Sequence, residues 1–233
     1  MIKNIIYIFS ILLFISCNNS TKTTSINAIG KMSDVMWKGD LEGKIATDSI
    51  NNKEAYGLGP IEFLKGEILL FEGQTFVSKV IDSISHEVTK ISSAKAPFFV
   101  YSTSSNLYVV DLPNKNYSLR KIEEQIDSIY KNYEQPLLIR IDGFFNELKL
   151  HSVNLPKGEK VSSPDEAHQG LTQYKFNGIS GSLIGFFSRH HKSIFTHHDS
   201  FLHAHFISND RQVLGHVDKL NFDSSFITLK ISE

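Results

Sequence analysis

Three histidines near the end of the chain have the spacing of metal ligands. His203 and His205 are two positions apart, and His216 follows a turn signal at Asn209-Asp210. Because side chains i and i+2 of a β-strand point to the same face, the first two imidazoles share one face. With Asn209 and Asp210 at the centre of a β-hairpin, His203 lies opposite His216 and all three imidazoles converge. Three neutral imidazoles with an open fourth position describe a catalytic zinc site.

A structural interpretation of these histidines competes with the metal site. The chain contains ten histidines, and a single histidine on a strand is more often solvated or hydrogen-bonded than bound to metal. A register slip of one residue would also turn His216 to the other face of the hairpin. Four more histidines precede this region and are predicted to form a solvated loop, with a cleft mouth or a second metal site as the alternatives. These four are His190, His191, His197 and His198.

The composition is that of a globular, sheet-rich protein. Of the 233 residues, 41% are hydrophobic and 21% are charged, and the formal net charge is −1. The absence of a basic excess argues against nucleic acid as a partner. The 17 phenylalanines and the many β-branched residues favour strands. With Cys17 as the single cysteine, an internal disulfide is impossible.

Residues 1–17 are predicted to be a lipoprotein-type signal peptide. Lys3 precedes a short apolar run, and the run ends at Ser16-Cys17, which resembles the lipid-attachment motif of bacterial lipoproteins. A lipid on Cys17 would anchor the protein to a membrane of the cell envelope. The alternatives are a cleaved signal that releases a secreted protein and a retained membrane anchor. Residues 18–30 are polar and are predicted to be a flexible tether, so that the folded domain covers residues 31–233.

The clearest predicted helix covers about residues 118–133. Apolar residues repeat at helical spacing from Ile122 to Tyr133, charged residues lie between them, and Ser118 can cap the start. A second, short helix is predicted around Trp37, which is interpreted as a core aromatic residue.

Runs of β-branched and aromatic residues predict strands through most of the remaining chain. The segment 67–72 is strongly apolar with an acidic residue at each end. Asp142-Gly143 is predicted to be a tight turn between two strands, and the glycines at 178 and 181 are predicted to flank another turn. One amphipathic helix among many strands indicates an α+β fold.

Motifs along most of residues 31–233 resemble the α-acetolactate decarboxylase family. The most specific is the H-x-H-x10-H pattern of His203, His205 and His216, with Phe206-Ile207-Ser208 after the first pair and Gly215 before the last histidine. The other landmarks are Gly57-Leu58-Gly59, residues 65–73, Ala96-Pro97-Phe98, residues 139–143 and residues 181–186.

The resemblance implies a zinc enzyme that converts 2-acetolactate to acetoin and carbon dioxide. His203, His205 and His216 match the zinc ligands of the family, and Glu67 matches a glutamate beside the metal. The implied fold has β-rich mixed sheets in two packed sub-structures, with the zinc site on a C-terminal β-hairpin. The resemblance also implies a homodimer.

The implied chemistry agrees with the residue types. A 2-hydroxy-3-oxo acid can chelate zinc through its ketone and hydroxyl oxygens, and zinc can stabilise the enediolate that forms as carbon dioxide leaves. A proton donor must then act on one face of that enediolate, and Glu67 is the candidate acid or base. The alternative for Glu67 is a solvated carboxylate at the end of a strand.

Three departures from the family pattern bear on activity. His151 stands where the family has an arginine that can grip a carboxylate, and His151 is a candidate proton donor. Pro60 replaces a threonine, and a glutamate near the C-terminus of the family has no counterpart before Glu233. Two alternatives follow: a catalytically impaired metal-binding envelope lipoprotein, and a decarboxylase or other lyase for a related 2-hydroxy-3-oxo acid. A metal-assisted hydrolase is a further reading, because three-histidine sites serve several reactions.

Overall fold

The computed structural model describes residues 24–103 and 106–232. The predicted signal peptide with Cys17, and the first part of the predicted tether, lie outside the described residues. Within the described ranges, no helix has both the length and the apolar character needed to cross a membrane.

Strands dominate the described part of the chain, with three short or medium α-helices between them. The strands are β1 (Ile26–Ile29), β2 (Ile45–Ala46), β3 (Tyr56–Pro60), β4 (Glu67–Phe71), β5 (Gln74–Val80), β6 (His86–Ile91), β7 (Lys95–Ala96), β8 (Phe99–Ser102), β9 (Leu107–Val110), β10 (Asn116–Ser118), β11 (Leu137–Ser152), β12 (Thr172–Phe187), β13 (Leu202–Ser208), β14 (Leu214–Asp223) and β15 (Ile227–Ser232). The helices are α1 (Met32–Lys38), α2 (Leu119–Ile129) and α3 (Pro164–Ala167).

Two large sheets carry the fold. The first sheet has six strands in the order β1-β8-β3-β4-β5-β6, and the second has seven in the order β10-β14-β13-β12-β11-β15-β9. A further β14–β11 pairing closes four strands of the second sheet into a ring. All strand pairs of these sheets in the described chain are antiparallel, so the prediction of mixed sheets is wrong. The prediction of a β-rich fold with few helices is confirmed.

The two sheets pack against each other through a buried apolar layer. Leu58 and Leu69 of the first sheet belong to the same cluster as Ile184, Ile207 and Leu214 of the second sheet, and all five are fully or almost fully buried. At about 25 cal/mol per Å² of apolar surface, this layer is a main source of stability. It also fixes the position of β4 against the hairpin formed by β13 and β14, because side chains from both lie in it.

The N-terminal strand shows that the folded domain begins earlier than predicted. Ile26 pairs with Ser102 and Ile29 pairs with Phe99 in an antiparallel β1–β8 ladder. The prediction of a flexible tether up to residue 30 is therefore wrong for Ile26–Ile29. Backbone hydrogen bonds to the edge of β8, and packing of Ile26 on the layer between the sheets, order this segment.

Strands β11 and β12 run straight through the positions predicted to be turns. Gly143 pairs with Gly181 in the middle of their ladder. Gly143 has φ +148°, and a Cβ atom built there would lie 2.0 Å from the carbonyl oxygen of Phe226. These glycines therefore permit a close approach of another backbone inside a long strand. A glycine within a strand pattern can indicate such an approach as well as a turn. The uninterrupted β11 carries His151 as far as β14.

Helix α2 begins where predicted and ends at Ile129, before the predicted end at about residue 133. The Ser118 side chain accepts a hydrogen bond from the Lys121 N–H at 3.3 Å, which caps the first turn. Ile122 and Ile126 are fully buried against the second sheet. The interpretation of Trp37 as a core residue is wrong, because it is 61% exposed on α1.

The register of the β13–β14 hairpin differs by two positions from the predicted one. His205, not His203, pairs with His216, and Ile207 pairs with Leu214. The loop is longer because the Ser208 hydroxyl accepts hydrogen bonds from N–H groups on its far side, including that of Val213 at 2.9 Å. A shift of two positions keeps every side chain on its predicted face, since the period of a strand is two.

We expect Ile207→Ala to lower the free energy of unfolding by about 2–5 kcal/mol, because it leaves a cavity in the layer between the sheets. Denaturant unfolding would measure the change. The matched control is Ile84→Ala, at a residue that is 83% exposed, and it should cost less than about 0.5 kcal/mol. Equal effects of the two substitutions would contradict the packing described above.

Candidate metal centre

The hairpin brings the three predicted ligands together in the interior. The ring centroids are 4.9 Å apart for His203 and His216, 5.3 Å for His203 and His205, and 5.6 Å for His205 and His216. All three side chains are buried. They lie on the face of the second sheet that meets β4 of the first sheet, as the contact from His205 to Ile68 shows.

Backbone carbonyls hold two of these imidazoles in one tautomer. The Nδ1–H of His203 donates to the carbonyl oxygen of Phe195 at 2.6 Å, and the Nδ1–H of His205 donates to that of Ile68 at 3.0 Å. Because a carbonyl oxygen only accepts, the proton of each neutral ring is on Nδ1 and Nε2 carries a lone pair. Burial lowers the pKa of His205 to about 3 and the pKa of His203 well below its usual value, so both rings are neutral at pH 7.

The donor atoms of His203 and His216 are spaced for a divalent metal ion, and a donor atom of His197 lies within 4.8 Å of both. His203 Nε2 and His216 Nδ1 are 3.1 Å apart, close to the roughly 3.3 Å that separates two imidazole nitrogens on a tetrahedral zinc ion. His205 Nε2 is buried and has no hydrogen-bond partner among the described residues. An unpaired buried polar atom costs about 1–3 kcal/mol, and a metal ion would satisfy it. Outer nitrogens that donate to carbonyls are also typical of metal-bound histidines.

Glu67, the first residue of β4, lies beside the histidines. Its Oε2 atom is 3.6 Å from His205 Nε2, and its Oε1 atom accepts the Val153 N–H at 3.0 Å. The side chain is buried, so the alternative of a solvated strand-end carboxylate does not hold. Burial raises the pKa of Glu67 to about 7, against the opposing field of His151. The carboxyl group can therefore hold or release a proton near neutral pH.

His151 reaches the same place from β11. It pairs with His216 across the β11–β14 ladder, and the two ring centroids are 4.5 Å apart. Its Nδ1 atom is 2.6 Å from a carboxylate oxygen of Asp218. Leu150 pairs with Val217 and Lys149 with Lys219, so Asp218 is the extra residue of a β-bulge. Bulges commonly redirect a side chain beside an active site, and this one aims Asp218 at His151.

His168 and Asp218 were not singled out from the sequence, although His168 lines the same small cavity as His203 and His216. Asp218 follows His216 by two positions, a spacing that could have indicated it. His197 carries no such signal, because it lies in an irregular loop. The interpretation of that loop as solvated is wrong for His197, whose Nε2 is 3.3 Å from His216 Nε2, while His190 and His198 are exposed. Arg140 lies apart in ion pairs with Glu72 and Asp142.

The cluster lines a small cavity of about 30 Å³ that shares residues with a cleft of about 390 Å³. The cavity is bordered by Pro60, Glu67, His151, His203 and His216. Apolar side chains of α1 and Pro164 of α3 share the lining of the cleft with two serines and three histidines, His168, His197 and His198. Its volume is in the range that holds a small organic ligand.

The antiparallel sheets of this β-rich protein surround a cluster of imidazole and carboxyl groups that could hold a metal ion. The sequence pattern of the alpha-acetolactate decarboxylases matches residues 29–233. The chain belongs to this family, which is a family of carboxy-lyases.

Curated relatives named alpha-acetolactate decarboxylase come from archaea and bacteria. The protein of Methanosarcina mazei is 24% identical over 200 residues, which are 85% of this chain and 67% of the relative. That of Bacillus licheniformis is 28% identical over 181 residues, 76% of this chain and 67% of the relative. The protein of Brevibacillus brevis is 25% identical over 191 residues, which are 80% of this chain and 63% of the relative. The chain thus matches about two thirds of their length.

Solved structures share the fold. The crystal structure of alpha-acetolactate decarboxylase from Bacillus subtilis strain 168 superposes with a TM-score of 0.73 at 23% identity, over 89% of this chain and 84% of that one. A Staphylococcus aureus protein of unknown function, similar to alpha-acetolactate decarboxylase, gives a TM-score of 0.69 at 17% identity with the same coverage.

We expect His205→Ala to weaken divalent-metal binding by more than about 100-fold, beyond the 10–100-fold that outer-shell partners contribute. Titration of the purified protein with zinc in competition with a chromogenic chelator would measure this. His190→Ala, at an exposed histidine, is the control and should bind like the unmodified protein. Unchanged affinity in the His205 variant would rule out this residue as a ligand.

Proposed function

We propose that this chain decarboxylates 2-acetolactate to acetoin and carbon dioxide at a zinc ion held by His203, His205 and His216. The observation that carries the proposal is the buried, unpaired Nε2 of His205 beside two further converging imidazoles. Family membership supplies the reaction. The carbonyl partners of His203 and His205 support ligation through Nε2.

The substrate has the functional groups that such a site can bind. A 2-hydroxy-2-methyl-3-oxo acid carries adjacent hydroxyl and ketone oxygens, which form a chelate. Zinc, when bound, supplies a Lewis acid that takes up the negative charge developing on these oxygens as carbon dioxide leaves. The apolar cleft beside the cavity can accommodate the methyl groups, because Met32, Met36 and Trp37 form much of its lining.

Glu67 is the group that we assign to the proton transfer. Loss of carbon dioxide leaves an enediolate that needs one proton at carbon to become acetoin. Glu67 borders the same cavity as His203 and His216, and burial raises its pKa to about 7. An acid with a pKa near the working pH is the most effective proton donor.

His151 is the second polar group that faces the substrate. Its Nδ1 is hydrogen-bonded to Asp218 at 2.6 Å, so Nε2 is the atom left to exchange a proton or a hydrogen bond with substrate. Asp218 fixes the ring in this orientation, as a carboxylate does for the histidine of a catalytic triad. This pair occupies the place of the arginine implied by the family resemblance.

We also propose that a lipid on Cys17 holds the domain at the cell envelope. The supporting observation is the apolar run that ends at Ser16-Cys17. The homodimer implied by the family resemblance stays a prediction.

The purified, zinc-loaded protein should release carbon dioxide from racemic 2-acetolactate and form acetoin, and a chelator should abolish turnover that added zinc restores. Carbon dioxide release and acetoin formation are both measured, with protein-free buffer as the control. Stoichiometric zinc binding without turnover would contradict the proposed reaction and favour an impaired metal-binding lipoprotein. Turnover of a related 2-hydroxy-3-oxo acid alone would change the substrate.

Glu67→Gln should lower kcat by about 10²–10⁴-fold, the usual contribution of a positioned acid or base. Zinc affinity should change far less, since Glu67 is not proposed to be a ligand. The matched control is Glu87→Gln, at an exposed position of β6, which should keep full activity. A Glu67→Gln protein with unchanged kcat would exclude the proton-transfer role.

A further inference from the structure

We infer that His197 is a positioning residue, which accepts the Nε2–H of His216 and thereby presents His216 Nδ1 to the metal ion. The inference rests on the metal site proposed above. It concerns His216, whose ring nitrogens contact other histidines rather than a backbone carbonyl among the described residues, and it assigns a role to the loop between β12 and β13.

His216 differs from the other two ligands in what surrounds its ring nitrogens. His203 and His205 each donate Nδ1–H to a carbonyl oxygen and keep Nε2 for the metal. The Nδ1 of His216 lies 3.1 Å from His203 Nε2, and its Nε2 lies 3.3 Å from His197 Nε2. The nitrogen of His216 that faces the other proposed ligand is therefore Nδ1, and the nitrogen that points away from it is Nε2.

Proton counting then fixes the role of His197. A metal bound to His203 Nε2 and His216 Nδ1 requires lone pairs on both atoms, so a neutral His216 carries its proton on Nε2. The Nε2 of His197 is within hydrogen-bond distance and can accept this proton's hydrogen bond. His197 must then carry its own proton on Nδ1. With this contact, the outer nitrogen of every ligand has an acceptor, as metal-bound histidines usually do.

The loop is built to hold this acceptor in place. Phe195, whose carbonyl oxygen holds His203, is only two positions before His197. The N–H groups of Phe195 and Thr196 both donate to the His191 carbonyl oxygen at 3.2 Å, and Ser193 N–H donates to the Thr196 carbonyl at 2.8 Å. One ordered segment therefore orients two ligands, one through its backbone and one through a side chain.

A direct ligand role for His197 fits the chemistry less well. Donor atoms of His197, His203 and His216 do lie within 4.8 Å of one another. A permanent fourth imidazole beside His203, His205 and His216 would complete a tetrahedral shell, however, and catalytic zinc sites keep one position open for substrate. The arrangement with three ligands and one outer-shell acceptor leaves that position available.

Cobalt(II) is the probe that separates these roles, because its visible spectrum reports the number and geometry of its ligands. We expect His197→Ala to weaken cobalt binding by about 10–100-fold with an unchanged spectrum for the saturated protein. His197→Gln offers a side-chain oxygen as acceptor and should recover most of the affinity. The matched control is His198→Ala, at the exposed neighbour, which should match the unmodified protein.

Each other outcome overturns a specific statement. Equal cobalt affinity in the unmodified and His197→Ala proteins would remove the positioning role. A changed spectrum at saturation in both His197 variants would make His197 a ligand instead. If the unmodified protein binds no cobalt at a 1:1 ratio, the proposed metal site itself fails. A His197→Ala protein that does not fold leaves the decision to His197→Gln.

Discussion

The structure depends on burying imidazole nitrogens that carry lone pairs between two apolar sheets. A buried polar atom without a hydrogen-bond partner is costly in free energy, so the partner of each ring nitrogen matters at this site. The Nδ1 atoms of His203 and His205 are satisfied by carbonyl oxygens of Phe195 and Ile68. The Nε2 atom of His203 faces His216 Nδ1 at 3.1 Å, while that of His205 has no hydrogen-bond partner among the described residues. Ile68 belongs to the first sheet and the histidines belong to the second. The packing of the sheets therefore sets the tautomer of His205, and hence which nitrogen is available to a metal.

The long strands explain how groups from distant parts of the chain meet. Strand β11 pairs with β12 on one side and with both β15 and β14 on the other. Had it ended at Gly143, His151 could not lie beside His216. The bulge opposite Leu150 then adds Asp218 to the cluster without shifting His216, because the extra residue lies after His216 on β14. Backbone pairing positions these side chains more tightly than a loop could.

The sequence was sufficient to predict that the three histidines share one face of the hairpin, but not which other groups surround them. The loop after Ser208 is longer than predicted and shifts the register by two positions. Because side chains alternate with a period of two, the incorrect register still placed His203, His205 and His216 on one face. Turn signals were less reliable, since a glycine allows both a turn and a close approach such as that of Gly143 to Phe226. His197 was assigned to a solvated loop, with a cleft mouth or a second metal site only as alternatives, because its position depends on hydrogen bonds within an irregular segment. Its neighbour His198 has the same residue type and is exposed.

The residues at positions 60 and 151, where the chain departs from the family pattern, both border the same cavity as the carboxyl of Glu67. Pro60 is the β3 partner of Glu67 and lacks an N–H, and the Glu67 carboxyl accepts the N–H of Val153. A permanently charged guanidinium at position 151 would favour ionised Glu67 and lower its pKa. With a histidine held by Asp218 at that position, burial dominates and the pKa of Glu67 rises to about 7. We therefore propose that a histidine at position 151, which would hold a substrate carboxylate less firmly than an arginine, leaves the Glu67 carboxyl able to hold the proton that it delivers.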